Sequence, residues 1–202
     1  MPLPPLATLE ALRTFADEVL PASLGMAEHG VLHGVGSPGA SWMIVGDQAT
    51  ADDEAEGQPF AGKSGQLLQH MLRAVGAGMQ EPAEALPERR AYATLAVKCR
   101  PPNDGNPSAA QIAASRPLLL REVALVAPSV VVAMGRHAAA ALLGSGEALG
   151  KLRGKAHRVE GLPNVSVVVT YPPGYLLRHG EDKARAWEDL CLARSLLPKP
   201  GN

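Results

Sequence analysis

Apolar side chains recur at Leu9, Leu12, Phe15, Ala16, Val19 and Leu20, a spacing that gathers them on one stripe of a helix over residues 8 to 20, with Pro21 as its stop. The pattern then changes. Ser41 to Val45 is a short unbroken apolar run ending at Gly46, as expected of a buried parallel strand that feeds a loop. Helical spacing returns over Ser64 to Val75, with Leu67, Leu68, Met71 and Leu72 facing inward and Gly76 and Gly78 ending it. The stretch from there to Glu88, rich in Pro, Ala and Glu, reads as a loop. Ala91 to Val97 is a second strand, and the following CRPPNDGNP can continue neither sheet nor helix because prolines and a glycine interrupt it. Ser108 and Gln111 have the spacing of a capping box, which predicts a helix through about Val126. Ser129 to Ala133 is a third strand, followed by Gly135 and an alanine-rich helix to Leu143. Val165 to Thr170 is the fourth strand, and Glu181 to Leu196 forms a closing helix with Trp187, Leu190 and Cys191 on one side.

Strands that alternate with helices predict a three-layer α/β/α domain with a mainly parallel four-stranded central sheet, right-handed crossovers and a site in the loops at the carboxyl ends of the strands. The chain has 202 residues, 46% hydrophobic and 3% aromatic, enough for one domain whose core is aliphatic. No segment approaches the length of an apolar membrane span, and MPLPPLATLEALRTF lacks the basic start of a signal peptide. Two cysteines argue against a disulfide scaffold and suit a reducing compartment, so a cytoplasmic location is expected.

Charge alters the picture by its distribution. The net charge is −1, yet residues 1 to 88 hold 3 Lys/Arg against 12 Asp/Glu, and residues 89 to 202 hold 16 against 8. Such asymmetry can form a basic face for phosphates or an internally compensated surface. An isoelectric point near 6.6 points to weak affinity for DNA at most. GQPFAGKS over residues 57 to 64 formally matches a phosphate loop, but Pro59 and Phe60 remove an amide donor and crowd a loop that must wrap phosphates with N–H groups. The six histidines show no ligand spacing and read as surface or polar-core residues. Asp52, Asp53 and Glu54 read as a solvated loop face.

Four segments, IVGDQATADDEAEGQPFAGKSG (44 to 65), VKCRPP (97 to 102), GRHAAAALLG (135 to 144) and VTYPPGYLLR (169 to 178), resemble the motifs of the uracil-DNA glycosylase superfamily in order and approximate spacing. The likeness is to family 4, the iron–sulfur type, and covers about residues 20 to 195. It implies residues 1 to 22 as an N-terminal helical segment, 23 to 197 as the glycosylase-like domain and 198 to 202 as a tail.

Position by position, the resemblance puts Gly46, Asp47 and Gln48 where the family has Gly-Glu-Ala, so the acid that orients water survives one methylene shorter. Phe60 keeps the ring that stacks on an extruded base. Leu95 stands where an Asn amide pairs with the uracil edge, and leucine has no hydrogen-bonding group. Pro172 stands where a His donates to the uracil oxygen, and proline lacks even a backbone N–H. Asn103, Asn106, His137 or His179 could compensate by reaching the pocket. DNA contacts are expected from Lys98, Arg100, Tyr175 and Arg178, with Leu176 and Leu177 as a wedge beside the extruded base or else as core.

Of the family's four cluster thiolates the sequence matches one. Cys99 stands at the third position, Ser115 at the fourth, and Val19 and Ala22 at the N-terminal pair, so the expectation is no metal ligand and no iron–sulfur cofactor, with Cys99 a small buried hydrophobe.

Two functions follow as expectations. The first is a catalytically degenerate member that acts as an adaptor for replication or repair proteins, binding DNA weakly and no membrane. The fold analogy here is the psi subunit of bacterial DNA polymerase III, which has this type of fold without glycosylase chemistry. The second is an active uracil-DNA glycosylase with a rewired pocket. The apolar stripe of residues 9 to 20 would dock on its own domain or, in the adaptor reading, help hold a partner.

Overall fold

A computed structural model describes residues 3–25, 29–82 and 84–198. Helix α1 (Leu9–Leu24) is followed by strands β1 (Val35–Gly36) and β2 (Trp42–Gln48), helices α2 (Ala51–Glu56) and α3 (Gly62–Ala74), and strand β3 (Ala91–Val97). Then come α4 (Ala109–Val126), β4 (Val130–Met134), α5 (Arg136–Leu143), α6 (Leu149–Leu152), β5 (Ala156–Val159), β6 (Leu162–Thr170), α7 (Pro173–Leu176) and α8 (Lys183–Ser195).

The strands form one sheet in the order β1-β3-β2-β4-β6-β5. The four expected strands are its parallel centre, β3-β2-β4-β6. The expected count of four is corrected to six, because β1 pairs antiparallel with β3 and β5 antiparallel with β6 at the two edges. β1 is two residues long and β5 reads Ala-His-Arg-Val with mostly exposed or half-buried positions. Neither carries the apolar run that marks a central strand, since an edge strand need bury little.

Successive side chains of a strand point to opposite faces, and the core divides accordingly. Met43, Val45, Val131, Ala133, Val167 and Val169 pack against α4 and α5, while Trp42, Ile44, Val130, Val132 and Val168 pack against α3 and α8. Ser108 and Gln111 make the expected capping box at the start of α4. α1 continues one turn past Pro21 to a left-handed Gly25, so the proline does not end it.

The stripe of α1 turns inward. Leu12, Ala16, Leu20 and Leu24 are buried together with Val97, Cys99 and Leu118, on the outer side of α4. Of the two docking modes expected for that stripe, the one observed is on the chain's own domain. Among the described residues no helix is long and apolar enough to cross a membrane.

Candidate active site

In the parallel register Gly46 lies beside both Leu95 and Met134, and Met134 beside Thr170. Gly46, Leu95 and Met134 of that row, at the carboxyl ends of β2, β3 and β4, floor a cavity of about 430 Å³ whose walls include Asp47, Gln48, Phe60, Pro172 and Tyr175, while Thr170 is fully buried and does not line it. The motif positions are thus brought together where the parallel pattern predicted a site.

Asp47 is fixed by the first turn of α5. Its Oδ1 accepts the backbone N–H groups of His137 at 2.9 Å and Ala138 at 2.8 Å. The approach demands a glycine before the helix: a Cβ on Gly135, at φ 123°, would stand 2.3 Å from both carboxylate oxygens. Burial pushes the Asp47 carboxyl up to about 6, although the two N–H groups and the Arg136 charge pull the other way.

His137, one of the four possible compensators, does not itself line the cavity but contacts Asp47 and Gln48, which do. Its Nδ1 lies 3.6 Å from Asp47 Oδ2 and 3.3 Å from Gln48 Oε1. Burial, helped by Arg136, holds its pKa below the ordinary value, so the ring is neutral at pH 7. Asn103, Asn106 and His179 do not line the cavity. His179 stacks on Tyr175 at 4.2 Å between ring centroids, and Tyr175 stacks on Tyr171 at 5.2 Å.

The ring of Phe60 meets Leu95 over Gly46, where an added Cβ would lie 2.8 Å from Phe60 Cζ and 2.9 Å from Leu95 Cδ2. Phe60 itself has φ 57°, a left-handed conformation that costs a bulky residue about 1–3 kcal/mol and persists only where the surroundings impose it. Asp53 imposes it. Its Oδ2 accepts Thr50 N at 2.9 Å and Thr50 Oγ1 at 2.8 Å, and its Oδ1 accepts Ala61 N at 2.7 Å, pinning both ends of the loop that carries the ring. Asp53 is therefore not on a solvated face; it is 4% exposed. The signal in the sequence was Thr50 three residues before Asp53, a capping box across a six-residue helix. Asp53→Ala is expected to free the Phe60 loop, seen as faster amide exchange at Ala61 than in the parent protein.

The DNA-contact candidates divide. Tyr175 lines the cavity and Arg178 is exposed at its rim. Arg100 pairs with Glu54 at 3.0 Å and is a quarter exposed. Lys98 is corrected: it is 3% exposed, and its Nζ is spent on Glu122 at 2.7 Å and on Thr94 Oγ1. A buried ion-paired ammonium has no reach to a phosphate. Leu176 and Leu177 also part company, the first buried in the core and the second 46% exposed.

An anchor unread in the sequence lies behind the Pro172 loop. Asp189, fully buried, accepts Thr170 Oγ1 at 2.9 Å, Arg153 Nε at 3.0 Å and Gly154 N at 3.0 Å, and the Arg153 guanidinium lies 5.8 Å from the Tyr171 ring centroid. Burial raises the Asp189 carboxyl. Its partners are 19, 35 and 36 residues away, separations no local pattern reports.

The fold is a parallel α/β domain with a carboxylate held at a helix N-terminus, an aromatic ring beside it and a cavity at the strand ends, the place where such folds carry their sites. The chain belongs to the uracil DNA glycosylase superfamily, whose family model matches residues 33–191. It is 30% identical over 174 residues to the type-4 uracil-DNA glycosylase of Thermotoga maritima, covering 85% of each chain. To the type-4 enzyme of Pyrobaculum aerophilum it is 31% identical over 156 residues, 74% of each. To that of Sulfurisphaera tokodaii it is 31% identical over 173 residues, 83% of this chain and 74% of the relative.

These relatives correct the expectation that the chain dispenses with a cluster, because type 4 is the iron–sulfur class. The side chains described here do not themselves make a four-thiolate set. Cys99 is fully buried among α1 and α4 residues with its thiol pushed up by burial to about 11, and Cys191 is on the surface of α8. Val19, Ala22 and Ser115 supply no thiolate, and among the described residues no three His, Cys, Asp or Glu side chains are grouped to hold a metal.

Proposed function

We propose that the chain is a DNA glycosylase of the type-4 kind, hydrolysing the N-glycosidic bond of a deaminated base, with uracil the first candidate, through a rewired pocket. The observation that carries this is Asp47, which keeps the family's acid position, is fixed by two N–H bonds and stands beside a 430 Å³ cavity with a ring at its wall. The adaptor reading has no comparable observation behind it: the relatives are named as glycosylases, and α1 spends its apolar stripe on its own domain.

In this mechanism the extruded base lies against Phe60. As the bond between C1′ and the base nitrogen breaks, its electron pair leaves with the base and positive charge grows on the sugar. The ionised Asp47 faces that charge and steers a water to C1′, whose proton passes to Asp47 or to solvent.

Purified protein incubated with single- and double-stranded oligonucleotides containing one uracil, then treated with alkali, is expected to give strand cleavage that disappears in Asp47→Ala. No cleavage of either substrate by the parent protein refutes the reading. Because the working form of Asp47 is ionised, cleavage is expected to fall as pH drops through about 6 and to level off above it, in a pH–rate profile on the single-stranded substrate.

A further inference from the structure

At Leu95 and Pro172 the cavity lacks the hydrogen-bonding groups the family places there, yet it holds a carboxamide of its own. Gln48 ends β2 and lines the cavity next to Asp47. Its Oε1 lies 3.3 Å from His137 Nδ1. Arg136 Nε donates to His137 Nε2 at 3.0 Å. A guanidinium can only donate, so Nε2 carries the lone pair and Nδ1 carries the proton. That proton makes Gln48 Oε1 the acceptor and settles which end of the amide is which. Gln48 Nε2, with two N–H groups, has no hydrogen bond among the described residues.

We infer that Gln48 reads the bound base: its Nε2 donates to a ring carbonyl oxygen of the base, held in that orientation by His137 and, behind it, Arg136. The inference rests on the glycosylase reading and deepens it. When the C1′–N bond breaks, the departing electron pair spreads onto the ring carbonyl oxygens, so a donor aimed there gains strength in the transition state. This is the task Pro172 cannot perform. The recognised class is a base bearing a ring carbonyl, uracil being the smallest case; adenine has none. With Leu95 apolar, the base edge facing β3 goes unread.

The test measures single-turnover cleavage of uracil-containing single-stranded DNA alongside binding of the same DNA. Gln48→Met, which keeps length and removes the donor, and Gln48→Glu, which keeps shape and cannot donate, are each expected to slow cleavage roughly 100- to 1000-fold with DNA affinity unchanged. His137→Phe is expected to slow it by a smaller factor. The pair Gln48→Met with His137→Phe is expected to be no slower than Gln48→Met alone, because His137 acts through Gln48; a purely structural histidine would add its own loss. A Gln48→Met enzyme as fast as the parent overturns the inference while leaving the glycosylase reading intact.

A readout independent of turnover covers the opposite case, and also a variant that fails to fold. In 15N-labelled parent protein, the side-chain NH2 resonances of Gln48 are expected to shift on titration with free uracil and to stay in place with adenine. If the parent cleaves nothing, the glycosylase reading fails, and this titration still decides the role of Gln48. No shift with uracil, or an equal shift with adenine, overturns it.

Discussion

Asp47→Asn is expected to abolish cleavage and at the same time to make the protein more stable at neutral pH. The loss is that of an ionised group beside the reacting carbon, worth roughly 100- to 10,000-fold in rate. The gain follows from the raised carboxyl. In the folded chain Asp47 holds its proton up to about 6, whereas unfolded it releases it near an ordinary carboxylate value of about 4. Between those values the native state binds more protons than the unfolded state, so stability falls as pH rises through the window. Above it, keeping the buried carboxylate ionised costs on the order of 3 kcal/mol. An asparagine oxygen can still accept the His137 and Ala138 N–H groups and carries no charge to desolvate. The melting temperature of Asp47→Asn should therefore exceed that of the parent by roughly 6–12 °C at pH 7.5, for a domain of this size. Near pH 4 the difference should vanish. Calorimetry across that range checks both; an Asn variant that melts below the parent at pH 7.5 shows that the carboxylate is not strained by burial.

The motif-bearing loops were legible in the sequence, and the reason is topological. Parallel strands put Gly46, Leu95, Met134 and Thr170 in one row, so a reader who places the strands has placed the site. Side-chain direction was not legible. Lys98 adjoins Cys99 and Arg100 in a loop-like segment and looks like a phosphate contact, but it follows β3, whose seven residues are all buried, and it turns inward to Glu122 on α4. The partners of Asp189 and Glu122 come from distant segments, and pairing at such separation depends on packing rather than on local pattern. Asp53 lay within reach, since Thr50 and Asp53 have capping-box spacing. The two edge strands were hidden because so little of them is buried.

Glu122→Ala is expected to cost the most stability of any single change outside the site. The carboxylate is 3% exposed and accepts Lys98 Nζ at 2.7 Å, Tyr92 OH at 2.9 Å and Thr94 Oγ1 at 3.1 Å, tying α4 to β3. Burial and this carboxylate together hold the Tyr92 phenol well above its ordinary pKa. Removing Glu122 strands a buried ammonium and a buried phenol O–H at once. Breaking a buried pair from one side costs about 3–5 kcal/mol, chiefly as the desolvation of the charge left behind. A melting temperature lowered by roughly 6–20 °C is the expected result. Removing the charge as well should undo most of it. Lys98→Met combined with Glu122→Leu replaces both ions by apolar side chains of similar volume, an exchange that is often neutral, so the double variant should melt well above Glu122→Ala. The same double variant settles the place of Lys98 with respect to DNA. A phosphate contact would lower affinity and reduce the salt dependence of binding by about one unit of slope. An ammonium that never leaves the interior changes neither, and DNA binding measured across salt concentrations should be that of the parent. A double variant that melts no higher than Glu122→Ala would mean that the hydrogen bonds to Tyr92 and Thr94, rather than the charge pair, hold α4 against the sheet.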